Sequence, residues 1–382
     1  MAKFQRDLNI ALILWFGLLT LGTCRVIQSE GTKLRLVSAL FRHGDRTVDI
    51  ANNESYPNDP YKDKDYYPDG FSQLTITGKK RAYQLGQILR NRYDSFLGDV
   101  YYQPNVYAQS TMIARTKTSL QLVHAGLYSP AEIQIWNPLL LWQPLDLMYT
   151  KMEDDNLFFS MLCPVFKRSY QNMLQNDLTV KTKVAKFDNL MKQLSIYTGK
   201  NITTLFDIFL LYGTLTAQSA YGLCLPEWTH NIFPNGELLD AFLLQLNLFS
   251  YGSLNRLNGG VLLRTIINDM DKIINGTLKD RRINLFSAHD LNVSAMLHAL
   301  NIFDFRPPEY TSSIIIELHE KNYKFFVKVV YYLGNPSKII EKSIPGCELL
   351  CPYDKFIQLT SASTATNEEL KCPEKITGDL NF

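Results

Sequence analysis

Leu34-Arg35-Leu36-Val37-Ser38-Ala39-Leu40-Phe41-Arg42-His43-Gly44-Asp45-Arg46-Thr47 is a short apolar run that stops at two guanidinium groups, an imidazole and a glycine. The run from Leu34 to Phe41 reads as a strand of moderate alternation, so the polar motif falls where the chain turns out of a sheet. Ligands of α/β sheets sit at that edge. Arginine is permanently charged and presents a planar fork of donors that matches phosphate oxygens. Gly44 lets the backbone approach closely, because it has no Cβ. The motif therefore reads as an oxyanion-binding mouth with a nucleophilic imidazole, His43, inside it. Singly, a strand-end arginine is a solvated charge and a lone histidine a structural group; the four fixed positions together carry the reading.

Two distant segments bear on the same edge. A second short apolar run, Arg282-Ile283-Asn284-Leu285-Phe286-Ser287-Ala288, ends at His289-Asp290, and the two strand ends are expected to converge. Leu291 to Phe303 then carries Val293, Met296, Leu297 and Leu300 at helical spacing. His289 and Asp290 would thus sit at a strand-to-helix junction, where the helix N-terminus favours anions. The third segment, Val106 to Thr116, is a brief strand followed by a helical-looking stretch containing Arg115. On its own Arg115 reads as a surface charge.

The composition is that of a folded protein with a sizeable core: 382 residues, 46% of them hydrophobic. Lys plus Arg number 39 against 37 Asp plus Glu, so neither a nucleic-acid nor a membrane-surface partner is expected. Lys3 and Arg6 precede an apolar stretch from Ile10 to Leu21 and then Gly22-Thr23-Cys24, the pattern of a secretory signal peptide over residues 1–24. An uncleaved signal anchor is the alternative, and the stretch is short for that. No later apolar run reaches spanning length, so a secreted, extracellular protein without a stable membrane anchor is expected. The six histidines, at 43, 124, 230, 289, 298 and 319, form no closely spaced ligand pair. No metal or other cofactor is expected, and His124, His230, His298 and His319 read as structural or surface residues.

Strand-like segments at 34–41, 106–108, 283–287, 313–318 and 325–332 flank a long middle of helical periodicity that includes 205–212 and 238–249. The fold class is α/β: a mainly parallel central sheet flanked by helices, with a smaller inserted helical lobe. Residues 33–140 and 259–382 would form the α/β catalytic body and 141–258 the lobe. Asn53, Asn201 and Asn275 head N-glycosylation sequons; a fourth, at Asn292, lies two residues from Asp290 in what should be a packed site.

With these motifs the chain resembles the histidine acid phosphatase family, most closely its insect venom and secreted acid phosphatases. Also matching are Leu74-Thr75-Ile76-Thr77-Gly78, the stretch Leu85 to Tyr93, and Pro345-Gly346-Cys347 with Cys351. The resemblance implies a site of Arg42, His43, Arg46, Arg115, His289 and Asp290, and it supports the same α/β architecture with an inserted lobe. It pairs Cys347 with Cys351 and Cys163 with Cys372. Ser313 stands where another disulfide partner is expected, leaving Cys224 as a free, buried thiol. It also implies a homodimer. Departures occur at Val48, where the family usually has a proline whose loss would loosen the loop exit, and at Gln109, Met112 and Ala114, which bear on substrate preference and on the support of Arg115.

The chemistry of these residues is coherent. Arg42, Arg46 and Arg115 supply a positive field for a phosphoryl group, and His43, kept neutral by its cationic neighbours, attacks phosphorus to give a phosphohistidine. His289 adds a donor. Asp290 protonates the leaving alcohol and then helps activate water, which calls for acidic solution. The expected activity is hydrolysis of phosphate monoesters, small molecules or phosphoproteins. Alternatives are a specialised phytase-like or lipid phosphatase, and a secreted binding homologue without turnover.

Overall fold

The computed structural model describes residues 31–52 and 54–372. The expected signal peptide, the sequon residue Asn53 and residues 373–382 lie outside them. β1 (Lys33–Arg42) is followed by α1 (Ile76–Leu97), β2 (Val106–Ser110), α2 (Ala114–Leu127) and a two-residue β3 (Met148–Tyr149). Six helices come next: α3 (Pro164–Asn176), α4 (Leu178–Ala185), α5 (Asp188–Thr198), α6 (Leu205–Ala220), α7 (Glu237–Leu248) and α8 (Leu254–Leu257). The chain closes with α9 (Gly259–Ile274), β4 (Ile283–Ala288), α10 (Asp290–Ala299), β5 (Ser313–Lys321), β6 (Lys324–Tyr332), β7 (Ile339–Lys342), β8 (Leu350–Pro352) and α11 (Tyr353–Thr360).

These strands form one sheet in the order β3-β2-β4-β1-β5-β6-β7, with β8 also on β6. From β3 to β1 the strands run parallel; from β1 through β5, β6 and β7 each neighbour is antiparallel. Strands buried on both faces carry near-continuous apolar runs, and β1 and β4 show why. Leu36 and Leu40 of β1 with Phe286 and Ala288 of β4 enter one core, against α9 and α10. Val37, Ala39 and Phe41 with Ile283 and Leu285 enter the other, against α1 and α2. A third core, built mainly from α3 to α7, includes Leu194, Ile208, Leu215, Leu238 and Phe242. Met148 and Tyr149, although part of the helix-rich middle, add a short strand to the edge of the sheet beside β2.

Register aligns the strand ends that carry the three motifs. Arg42 of β1 lies opposite Ala288 of β4, and Ser110 of β2 opposite Ser287, so three strands end side by side. The close approach for which Gly44 lacks a Cβ is to protein backbone: a Cβ there would lie 2.3 Å from the Gly78 carbonyl oxygen, and one on Gly78 2.1 Å from that of Asp45. The loop after β1 is thereby clamped onto the first turn of α1, where Thr75 caps the helix by accepting from the Gly78 N–H.

Several expectations need correction. Val48 itself is 3% exposed and packs with Tyr66 and Ala217. Cys224 is free but exposed, because the chain turns outward at Gly222 (φ 84°) once α6 has ended. The helical pattern to Phe303 overshoots: α10 ends at Ala299, and Asn301 takes a left-handed φ of 54°. Cys163 is bonded to Cys372 and Cys347 to Cys351. The Ser313 hydroxyl donates to the Leu40 carbonyl at 3.0 Å, tying the side chain to the backbone within the β1–β5 pair.

His124 of α2 is fully buried between Tyr101 and Tyr128, and neither ring nitrogen has a hydrogen-bond partner among the described residues. Burial pushes its pKa down to about 4. The unfolded chain therefore takes up the proton first, and stability conferred by the neutral ring is complete above about pH 6.5 and lost as pH falls towards 4, about 3 kcal/mol in all. We expect the denaturation midpoint to fall between pH 7 and pH 4, and His124→Leu to fall less steeply over that window. Parallel profiles for the two proteins would show that His124 does not carry the effect.

Candidate active site

His43 emerges from the end of β1 with its backbone held from three sides. Its N–H donates to the Ala288 carbonyl (3.0 Å), its carbonyl accepts from the Thr311 N–H (3.2 Å), and the next N–H, of Gly44, donates to Ser119 Oγ (3.0 Å). The ring is fixed in one tautomer. A carbonyl can only accept, so Nδ1, 2.8 Å from the Gly44 oxygen, carries the proton. Nε2 keeps its lone pair and accepts from Arg115 Nε–H at 3.1 Å. Burial, then the charge of Arg115, then His289, Arg42 and Arg46 hold the His43 pKa well below the usual histidine range. The imidazole is thus a neutral, oriented base whose free nitrogen faces cations.

Three guanidinium groups surround it, each no more than 6% exposed. Buried charge needs partners, and each finds a carboxylate. Arg42 pairs with Asp290 (3.0 Å), donates to the Pro308 carbonyl (2.7 Å) and lies 4.0 Å over the Tyr310 ring. Arg46 forms a two-pronged fork on Glu54 (2.5 and 2.8 Å) and donates to the Thr47 carbonyl. Arg115 donates to Asp49 (2.8 Å), whose other oxygen accepts from Ser72. Burial works against the charge on Arg46, but Glu54 outweighs it and the pKa stays above its usual value. On Arg115, burial and the neighbouring Arg46 win over Asp49, and the pKa is lowered.

His289 and Asp290 lie at the N-terminus of α10, as the sequence led us to expect for the junction. The His289 N–H donates to Asn292 Oδ1 (3.1 Å), and the Asn292 amide donates to the Phe158 carbonyl (2.7 Å). Asn292 is 8% exposed and held at both its oxygen and its nitrogen by these bonds, which makes it a structural tie rather than a glycan acceptor. The His289 ring is 5.4 Å from that of His43, and its Nε2 is 3.2 Å from Thr111 Oγ1. Burial, then Arg115, pushes its pKa down to about 3. For Asp290 burial pushes the pKa up, but Arg42, His289 and Arg46 together pull it below the usual carboxylate value.

The structure brings together all six residues proposed for phosphate chemistry. The other expected positions lie apart: Asn201 and Asn275 are exposed on the surface. Gln109 accepts from the Tyr107 hydroxyl (2.7 Å), and Met112 Sδ accepts from the Met152 N–H. Among the described residues no group of three or more His, Cys, Asp or Glu is placed to hold a metal ion. Sequence reasoning missed Asp49, Glu54, Ser119 and Tyr310. Asp49 and Glu54 could have been sought as acidic partners close behind an arginine motif; Ser119 and Tyr310 belong to segments whose pattern says nothing of their proximity.

The comparisons with known proteins point the same way. Residues 33–332 match the model of the histidine phosphatase superfamily, branch 2. The chain is 46% identical over 351 residues to a venom acid phosphatase of Apis mellifera, covering 91% of this chain and 89% of the relative. It is 33% identical to the prostatic acid phosphatase of Rattus norvegicus, covering 91% of each. Among solved structures, the apo form of Hafnia alvei phytase aligns with a TM-score of 0.63 at 16% identity, covering 90% of this chain and 99% of that one, a likeness of fold.

The geometry assigns Glu54 the task of keeping Arg46 charged and aimed. Glu54→Gln leaves a buried guanidinium without its counter-charge, and we expect a loss of about 3–5 kcal/mol in unfolding free energy by denaturant titration. A variant within 1 kcal/mol of the parent would mean that the fork is not what holds Arg46.

Proposed function

The chain belongs to the histidine phosphatase superfamily (branch 2), and on that premise we propose that it is an acid phosphatase acting on phosphate monoesters through a covalent intermediate on His43. The observation that carries this reading is the His43 ring, with its proton parked on the Gly44 carbonyl and its lone pair aimed among three guanidinium groups. In the proposed sequence the ester's non-bridging oxygens take donors from Arg42, Arg46 and Arg115. His43 Nε2 forms a bond to phosphorus as the bond to the alcohol oxygen breaks, and Asp290 gives that oxygen its proton. Water then attacks phosphorus, the Asp290 carboxylate takes the water's proton, and the P–N bond breaks to release phosphate.

Asp290 is anionic beside Arg42 when the pocket holds no ester. A bound phosphoryl group places its own negative charge on Arg42 and next to Asp290, which raises the carboxylate's affinity for a proton. Substrate binding itself thus prepares the acid, and acidic solution assists. The relatives named as acid phosphatases, from venom and prostate, agree with such a requirement.

The finer parts of this reading are also proposals. Secretion is supported by the leader-like first 24 residues and by similarity to a venom protein; no helix among the described residues is long and apolar enough to cross a membrane. Asn201 and Asn275 are exposed, as acceptors must be, and Asn53 remains the third expected site. An α/β body of 33–140 and 259–382 carrying a helical lobe of 141–258 is supported by the separate apolar core of α3 to α7. No observation favours the phytase-like, lipid-phosphatase or catalytically silent alternatives.

Two experiments test the proposal. Rapid mixing with a phosphate ester and denaturation should trap an acid-labile, alkali-stable phosphoryl group that His43→Ala lacks, together with a fall in turnover of at least about 10³-fold; a variant retaining near-normal turnover sinks the mechanism. A homodimer is the second matter. Ile133, Trp136, Leu139 and Leu141 are exposed in the segment that leads to β3, the end strand of the sheet among the described residues, and a second copy could cover these side chains and that edge. Light scattering should give twice the chain mass, reduced to one by Leu139→Glu with Leu141→Glu; a parent protein that stays monomeric at micromolar concentration refutes it.

A further inference from the structure

Among the described residues, the buried Nε atoms of Arg42 and Arg46 and the buried Tyr310 hydroxyl have no hydrogen-bond partner. The first two belong to the groups that bind the phosphoryl oxygens. The third belongs to a residue that neither the sequence motifs nor the mechanism above employs. A phenol buried without a partner is unfavourable, and persistent cases call for an explanation such as an absent ligand.

Tyr310 is 2% exposed and tightly determined. Its ring carries the Arg42 guanidinium on one face at 4.0 Å and lies 5.8 Å from the His43 ring. Its carbonyl accepts from Arg81 Nη2 (2.8 Å), and Arg81 Nη1 also holds Asp45 at 2.9 and 3.0 Å, so the residue is tied to the loop that carries the arginine motif. Thr311, immediately after it, donates to the His43 carbonyl and is held at φ 62°, a left-handed conformation that a β-branched residue rarely adopts. Strain of this kind concentrates at sites where a side chain must be aimed. Burial pushes the Tyr310 pKa up in spite of Arg46 and Arg42, so the hydroxyl keeps its proton throughout the acidic range.

We propose that Tyr310 is a further substrate-binding residue: its hydroxyl donates a hydrogen bond to a non-bridging oxygen of the bound phosphoryl group while its ring seats Arg42. This rests on the phosphatase reading and extends its binding set. The orphaned donors of Arg42, Arg46 and Tyr310 equal in number the non-bridging oxygens of a phosphate ester. The Nη groups of both arginines serve Pro308, Asp290, Glu54 and Thr47 through some of their N–H bonds, whereas the Nε atoms and the phenol have no such partner among the described residues.

Tyr310→Phe separates the hydroxyl from the ring. Inorganic phosphate and orthovanadate are the probes, as competitive inhibitors of hydrolysis of a chromogenic phosphate ester and as ligands in calorimetry. We expect both to bind about 10-fold more weakly to Tyr310→Phe, which corresponds to about 1.4 kcal/mol, while the ligand-free variant melts no lower than the parent because an unpartnered buried hydroxyl has been removed. Tyr310→Leu, which also removes the seat of Arg42, should weaken binding further. A hydroxyl with only a structural role would give the reverse signature, a lower melting temperature with unchanged affinity, and that result overturns the proposal. Parent protein that neither turns over the ester nor binds vanadate would overturn the phosphatase reading as well; a parent that does both, with Tyr310→Phe equal to it in affinity, overturns the Tyr310 assignment alone.

Discussion

Three guanidinium groups must stay charged in a place from which water has been largely removed, and much of the molecule's architecture follows from that demand. Each ion taken out of water loses several kcal/mol of solvation that only close counter-charges and hydrogen bonds restore. Asp290 answers for Arg42, Glu54 for Arg46 and Asp49 for Arg115. Those carboxylates then need placing. Glu54 is held through its carbonyl by Thr214 of α6 and its side chain by the Asp49 N–H, so a helix of the third core reaches into the pocket wall. Gly213 beside it leaves room for the pair: a Cβ there would sit 3.2 Å from the Glu54 carboxylate. The pocket is therefore balanced in charge until an anion arrives and competes for the arginines.

The same logic recurs away from the strand ends. Glu317 of β5 is 2% exposed and accepts from Arg92 (2.8 and 3.1 Å), Tyr93 (2.7 Å) and His319 (2.9 Å). Burial pushes its pKa up, but the His319 bond and Arg92 bring it down to about 2. There the bonds run between groups of the protein itself, and among the described residues none of Arg92, Tyr93, Glu317 and His319 has a buried polar side-chain atom without a partner. The contrast with Arg42, Arg46 and Tyr310, which retain atoms without partners, separates a buried ionic network that fastens α1 to the sheet from one built to be completed by something else.

What the sequence made legible has a physical boundary. β1, β2, β4, β5 and β6 announce themselves because buried strands concentrate branched apolar residues, and the polar motifs stand out because they interrupt those runs. Residue types with strong chemistry, such as the imidazole of His43 beside Arg42 and Arg46, could be assigned to one place before any contact was known. β3, β7 and β8 could not be read, being short and paired only through tertiary context. Nor could Tyr310, whose importance lies in the direction of one hydroxyl, or Val48, whose effect depends on Tyr66 and Ala217 arriving from elsewhere. The reason for Gly44 was half legible: the need for a missing Cβ was evident, but the partner, Gly78, was not.

The bond between Cys163 and Cys372 has a consequence for when the enzyme comes into being. It spans 209 residues, and a closure of that length stabilises the folded state by about 5 kcal/mol on entropic grounds. The segment it anchors is the one behind His289: Phe159 lies against that ring, Phe158 receives the Asn292 amide, and Asn156 donates to the carbonyls of Glu369 and Leu370. The support behind the His289 ring is thus completed by residues more than 200 positions further along the chain than Cys163, and fastened by a thiol oxidation. A chain emerging from the ribosome has its arginine motif long before it has that brace. Such a bond forms and persists in oxidising and not in reducing surroundings, so the brace behind His289 depends on the redox state in which the folded chain is kept.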